Sequence, residues 1–215
     1  MAGAVQNAAD IAAKMGAGDY ATPIALACVE FGINNDRALA MFLAMLSVES
    51  SDFKRVIESM NYSVEGLLAT FSRARISRED CMRLGRIPGR AAQQVMIANK
   101  VYGGDWGREH LGNLFMGDGW KFRGHGLGQT TGRANIERAS LGIFGDRRLI
   151  DDPHPLTLPM PAARAAAFFW RDKGCDRMAA RNDLIAVRQK WNGGLLGIEH
   201  AEIAYSKAKK LLGLP

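Results

Sequence analysis

The sequence predicts a mainly α fold. Apolar residues recur at helical spacing, most clearly Leu39, Phe42, Leu43 and Leu46. Residues that start and stop helices flank such segments. Several of the segments are rich in alanine.

Residues 8–14 and 22–31 are Ala-rich helix candidates. "NNDRALAMFLAMLSVES" follows, with Asn35 or Asp36 as N-cap. "SVEGLLATF" at 63–71 starts at Ser63, although Gly66 stands where a capping box has Glu or Gln. "PGRAAQQVMIANKVYG" reads as a helix after Pro88 that ends near Gly103. Residues 103–132 change character, with ten glycines in thirty residues. A loop-rich segment with short strands is expected there. A Pro-rich connection at 151–161 leads to "AARAAAFFWRDKG", a helix stopped by Gly174. "DLIAVRQKWNGG", with Asp183 as N-cap, and "IEHAEIAYSKAKKLLG" complete the helical reading.

The 215 residues suit one domain and bury roughly 70% of the unfolded surface. With 47% hydrophobic and 23% charged residues, a disordered chain is excluded. The net charge of +6 favours polyanions as partners. Six arginines crowd residues 73–90, a pattern that usually marks a solvated face. The three cysteines, Cys28, Cys81 and Cys175, are widely spaced and read as packed thiols rather than a disulfide or zinc framework. The start has no secretory pattern, and the longest apolar run, at 38–46, is far short of the ~20 residues that span a bilayer. The four histidines show no metal-ligand spacing. "GHGLGQTTGR" lacks the Gly-Lys-Ser/Thr of a phosphate loop. Trp170 reads as core, while Trp120 and Trp191 suit either packing or a sugar cleft.

Glu49 and Glu58 stand nine residues apart in SVESSDFKRVIESMNYS. On one helix they would lie on opposite faces, ~13.5 Å apart along the axis. They can cooperate only if the helix ends between them, and Ser50–Asp52 is where short polar side chains compete for backbone hydrogen bonds. Glu49 falls at the edge of an apolar stripe and near a helix C-terminus, so it is expected to be the protonated carboxyl. Glu58 lies in a polar setting and is expected to ionise. Spacing alone leaves two solvated charges as the ordinary alternative.

"FLAMLSVESSDF", "ESMNYSVEGLLATF", "IANKVYG", "GDGWKFRGHGLGQTTGRANI" and "WNGGLLGI" occur in this order. From about residue 38 to the end, the set resembles glycoside hydrolase family 19, the chitinase and phage-endolysin family. The resemblance implies a lysozyme-like two-lobed helical fold with the Gly-rich segment lining a cleft. It places a large lobe at about 1–69 and 111–215 and a small lobe at about 70–110. It implies Glu49 as general acid, Glu58 as general base and Thr131 as holder of the attacking water. Asn61, Tyr62, Tyr102, Gln129, Asn135, Trp191 and Asn192 fall among its substrate-binding positions. It implies no metal and no cofactor. Three departures stand out: Val48 where His is usual, His125 for an Arg, and Ala201 near where the family often has an Arg.

The expected activity is that of an endolysin, cutting the β-1,4 bond between N-acetylmuramic acid and N-acetylglucosamine with inversion. The expected partner is the peptidoglycan glycan strand, met by a monomer, with electrostatic contact to an anionic wall or outer membrane and no nucleic acid. Synthesis in the host cytoplasm and action in the periplasm after membrane permeabilisation follow from that reading. The alternatives are a chitinase of the same fold, or a basic wall- or nucleic-acid-binding protein on an inactive scaffold.

Overall fold

The computed structural model describes residues 2–215. α1 (Ala2–Met15) and α2 (Ala21–Phe31) pack against each other largely through alanines, which lose no side-chain entropy on burial. α3 (Asp36–Glu49) begins at Asn35, whose side chain accepts the Ala38 N–H at 2.8 Å. Every residue from Ala38 to Ser47 is buried. The stripe read from the sequence is therefore one part of a helix enclosed on all sides, as an all-apolar helix in a core must be.

A second, separate hydrophobic cluster forms around α4 (Val64–Thr70), α5 (Arg78–Leu84) and α6 (Gln94–Val101). Ser63 caps α4 by accepting the Gly66 N–H at 3.0 Å, without a capping-box partner. The helix expected directly after Pro88 starts later, at Gln94. Residues 87–90 instead form a tight turn in which Ile87 and Arg90 exchange backbone hydrogen bonds. Arg73, Arg78, Arg83 and Arg86 of the arginine cluster are exposed, in line with a solvated face, and several of the six also bond locally. Arg73 donates to the carbonyls of Leu67, Leu68 and Phe71 at the end of α4. Arg90 donates to Met82 and Gly85 at the end of α5. Arg83 pairs with Asp80 at 2.5 Å. Arg78 and Arg86 are exposed, with no side-chain hydrogen bond or ion pair among the described residues.

The short strands expected within 103–132 do not form. The segment contains α7 (Gly104–Leu111) and α8 (Asp118–Lys121), and only isolated backbone bridges occur at His125. Side chains take over the pairing a sheet would have supplied. Asp118 accepts the N–H groups of Leu114 and Phe115 at 2.8 and 3.0 Å, and Arg133 meets it through two 2.8 Å bonds.

α9 (Arg133–Phe144), α10 (Arg148–Asp151) and α11 (Pro159–Asp172) follow. The Pro-rich connection supplies the start of α11, with Pro159 in the first turn, where a missing N–H costs nothing. Gly174, at φ 67°, stops α11 and the chain enters α12 (Cys175–Ala180) at once. Asp183 caps α13 (Leu184–Asn192) through the Ala186 N–H. α14 (Ile198–Leu212) closes the chain against α3. Trp170 is fully buried, with Phe42 and Trp191 edge-on or tilted around it at 5.4 and 6.2 Å. Cys28, Cys81 and Cys175 are free and buried.

Candidate active site

α3 ends at Glu49, where the helical phase argument requires a break. Ser50 makes the break. Its buried hydroxyl donates to the Leu46 carbonyl at 2.6 Å and accepts the Phe53 N–H at 2.8 Å. Ser51, Asp52 and Phe53 then run left-handed, at φ 51°, 58° and 63°. Three such residues without glycine cost about 1–2 kcal/mol each. Offsetting contacts surround them. The Ser50 carbonyl accepts the N–H groups of Lys54 and Arg55. Asp52 accepts the Ser47 hydroxyl at 2.6 Å and lies 2.9 Å from Nε2 of His200. Phe53 is buried.

The reversal brings Val56–Glu58 antiparallel to Gly124–Gly126. Glu58 N–H donates to the Gly124 carbonyl at 2.9 Å, and Gly126 N–H to the Val56 carbonyl at 2.8 Å. The Gly124 N–H then donates to Oε2 of Glu58 at 3.0 Å. A Cβ on Gly124 would come within 2.3 Å of Oε1 of Gln129 and 3.2 Å of Cβ of Glu58. Glycine at 124 thus eases the close approach of this backbone to the Glu58 side chain. Tyr102 O–H donates to Oε1 of Glu58 at 2.6 Å. Burial, and after it the Glu58 charge, push the Tyr102 phenol well above its usual range, so it remains the donor.

Glu49 has a different partner. Nη1 of Arg188, on α13, donates to its Oε1 at 2.5 Å, and the Arg188 side chain is only 3% exposed. The remaining guanidinium nitrogens of Arg188 hold the Leu196 carbonyl. Burial and the helix end are the only two influences on Glu49 expected from the sequence; this buried guanidinium is not among them, and it acts in the opposite sense to both. Oε2 of Glu49 has no hydrogen bond among the described residues, and Glu49 lines a cleft of about 420 Å³.

That cleft gathers Glu49, Gln129, Thr131, Asn135, Trp191 and Asn192, all expected from the sequence, together with Lys173 and Lys190, which were not. Within it the Thr131 hydroxyl donates to the Gln129 carbonyl at 3.0 Å, and the Asn135 amide to the Thr131 carbonyl at 2.8 Å. Trp191, 7% exposed, packs on Phe42 and Trp170 and also lines the cleft. Glu58, Asn61, Tyr62 and Tyr102, also expected at the site, are not among the residues that line this cleft. Tyr62 packs on Phe71 at 5.2 Å. Its phenol is raised first by burial and then by Glu58. Asn61 is exposed, its side chain without a hydrogen bond among the described residues. Trp120 packs on the second cluster and carries the Arg123 guanidinium 3.6 Å above its ring.

No family model matches the chain. A protein of Haemophilus influenzae described as a glycosyl hydrolase family 19 domain-containing protein is 33% identical over 168 residues, 78% of this chain and 76% of that relative. The chain belongs to glycosyl hydrolase family 19. It is thus a glycoside hydrolase acting on glycans. Ala201 is buried where the resemblance suggests an Arg, and the cation facing Glu49 comes from Arg188 instead. A signal for it exists in the sequence: Leu184, Val187, Arg188 and Trp191 fall on one helical stripe, so Arg188 is a charge on an apolar face. Val48, in place of the usual His, fits against Gly197, where an added Cβ would lie 2.9 Å from its Cγ1. His125 is buried and is a hydrogen-bond partner of the Arg123 carbonyl at 2.5 Å.

Proposed function

We propose that the protein is an endolysin that hydrolyses the β-1,4 bond between N-acetylmuramic acid and N-acetylglucosamine, with inversion. Glu49 gives a proton to the leaving oxygen and Glu58 takes one from water. The supporting observation is the left-handed reversal between them, which gives two near neighbours in sequence two different settings. Glu49 faces the cleft with one oxygen bonded to Arg188 and the other without a partner. Glu58 is met by two neutral donors, a phenol and an amide N–H, an arrangement suited to an anion that accepts a proton. Inverting pairs stand roughly 6.5–9.5 Å apart so that a water fits between base and sugar. Thr131, at the cleft floor, is assigned to holding that water. The basic surface suits an anionic wall.

Mass spectrometry of digested peptidoglycan tests the bond. Reducing N-acetylmuramic acid ends are expected. Anhydro ends would mean a transglycosylase, N-acetylglucosamine ends the other bond, and soluble sugars from chitin alone a chitinase. Glu49→Gln is expected to lose at least roughly a hundredfold in lytic rate while still sedimenting with cell walls. A fully lytic variant would overturn the acid assignment.

A further inference from the structure

The charged side chains lining the cleft are Glu49, Lys173 and Lys190. Arg188 already answers the carboxylate from behind the wall, with its own side chain hidden from the cleft. Two ammonium groups are left over. Neither makes an ion pair among the described residues.

Lys173 follows the last residue of α11 and reaches across to α13. Its Nζ donates to the Trp191 carbonyl at 2.6 Å and lies 5.7 Å from the Trp191 ring centre. One of its three N–H groups is thereby used. Burial pulls this ammonium below the usual lysine range, against the charges of Cys175, Glu49 and Asp172. A half-buried cation with no direct ion-pair partner is unfavourable unless a ligand supplies one. Bonding to a carbonyl in the last turn of α13 accounts for one donor, not for the charge. It does not account for Lys190, which is exposed at the rim.

We propose that Lys173 and Lys190 make the cleft select a glycan bearing a carboxylate, the muramyl unit of peptidoglycan, over neutral chitin. The proposal rests on the peptidoglycan reading given above. N-acetylglucosamine offers hydroxyl and amide groups only. The muramyl unit adds a lactyl ether that ends either in a free carboxylate or in a stem peptide with carboxylates of its own. The shared chemistry is a carboxylate beside the sugar ring, and an ammonium pair with open donors is its complement.

The test compares kcat/KM on three forms of one peptidoglycan. The first has intact stems. The second is stripped by an amidase that frees the lactyl carboxylate. The third is stripped and then reduced so that the carboxylates become alcohols. Full-length wild type is expected to prefer a carboxylate-bearing form by roughly tenfold or more, mainly through KM. The ratio is expected to fall toward one in Lys173→Gln/Lys190→Gln and as salt is raised. Preference for the stripped form assigns the lactyl group, and preference for the intact form assigns the stem. Lys190→Gln alone, at an exposed position, is expected to lower the ratio and guards against a Lys173 variant that fails to fold. A purely capping lysine would leave the ratio unchanged. Equal rates on carboxylate and reduced forms, or variants that keep the wild-type ratio, would overturn the proposal. Wild type that cuts chitin oligosaccharides but none of the three forms would overturn the peptidoglycan reading as well.

Discussion

Tyr102 shows how much one side chain can decide. The resemblance places it among sugar-binding residues, yet its hydroxyl is bonded to Glu58. Arg75 stacks behind it, 5.3 Å from the Tyr102 ring and 3.8 Å from that of Trp106. Tyr102→Phe removes the donor and keeps the ring. It is expected to lower kcat by about ten- to a hundredfold with less change in KM, measured on peptidoglycan fragments. His125 offers a second test. Burial holds its imidazole down to about 4, from an ordinary 6.5, aided by the charges of Arg123 and His154 and opposed by its bond to the Arg123 carbonyl and by Asp152. The unfolded chain therefore takes up this proton near pH 6.5, while the folded one waits until about pH 4. The stability this imidazole contributes is complete above pH 6.5 and is lost as pH falls through that window, by up to about 1.4 kcal/mol per pH unit. Denaturant unfolding between pH 7.5 and 4 is expected to show the slope in wild type and a shallower one in His125→Gln.

Among the elements, the left-handed run after α3 matters most. A regular helix through residues 49–58 would place the two glutamates on opposite faces, so the proposed acid/base pairing depends on the strained turn. Ser47, Asp52 and His200 tie it to α3 and α14. Ser51 is exposed and left-handed at φ 51°. Ser51→Gly is expected to stabilise by about 1 kcal/mol, raising Tm by roughly 2–4 °C, since glycine enters that region freely. An unchanged or lower Tm would show that the turn is not strained at this residue. The short helices α7 and α8 belong to the same scale. The many glycines of their segment argue against helix by propensity, and Asp118 with Arg133 overrides it.

On the scale of the whole molecule, two hydrophobic clusters frame the chemistry. Glu49 stands at the end of the central helix of one, and Glu58 beside Tyr62 and Tyr102 of the other. Of the six arginines at 73–90, Arg73, Arg75 and Arg90 donate to carbonyls of their own surroundings, which fixes where they sit and leaves their charge in place. Wall association is expected to depend on the protein's positive field, to which that patch contributes. Lysis of permeabilised cells should slow steadily from 50 to about 500 mM salt. Cleavage of short soluble glycans without carboxylates should respond much less, and equal salt sensitivity on both substrates would count against the field.

The sequence by itself determined several of the helices and three of their caps. Asn35, Ser63 and Asp183 each bond an N–H three residues on, so the information is local. It also set the condition that α3 must stop before Glu58 if the two glutamates are to cooperate, because helical phase is a property of spacing alone. Only the tertiary structure decided what each carboxylate meets. Arg188 lies 139 residues from Glu49 and Tyr102 lies 44 from Glu58, and no local pattern brings such groups to 2.5 and 2.6 Å. Lys173 and Lys190 likewise reach one cleft from α11 and α13. Local spacing sets where a helix begins and ends. Which charge faces which carboxylate is set by how the helices pack.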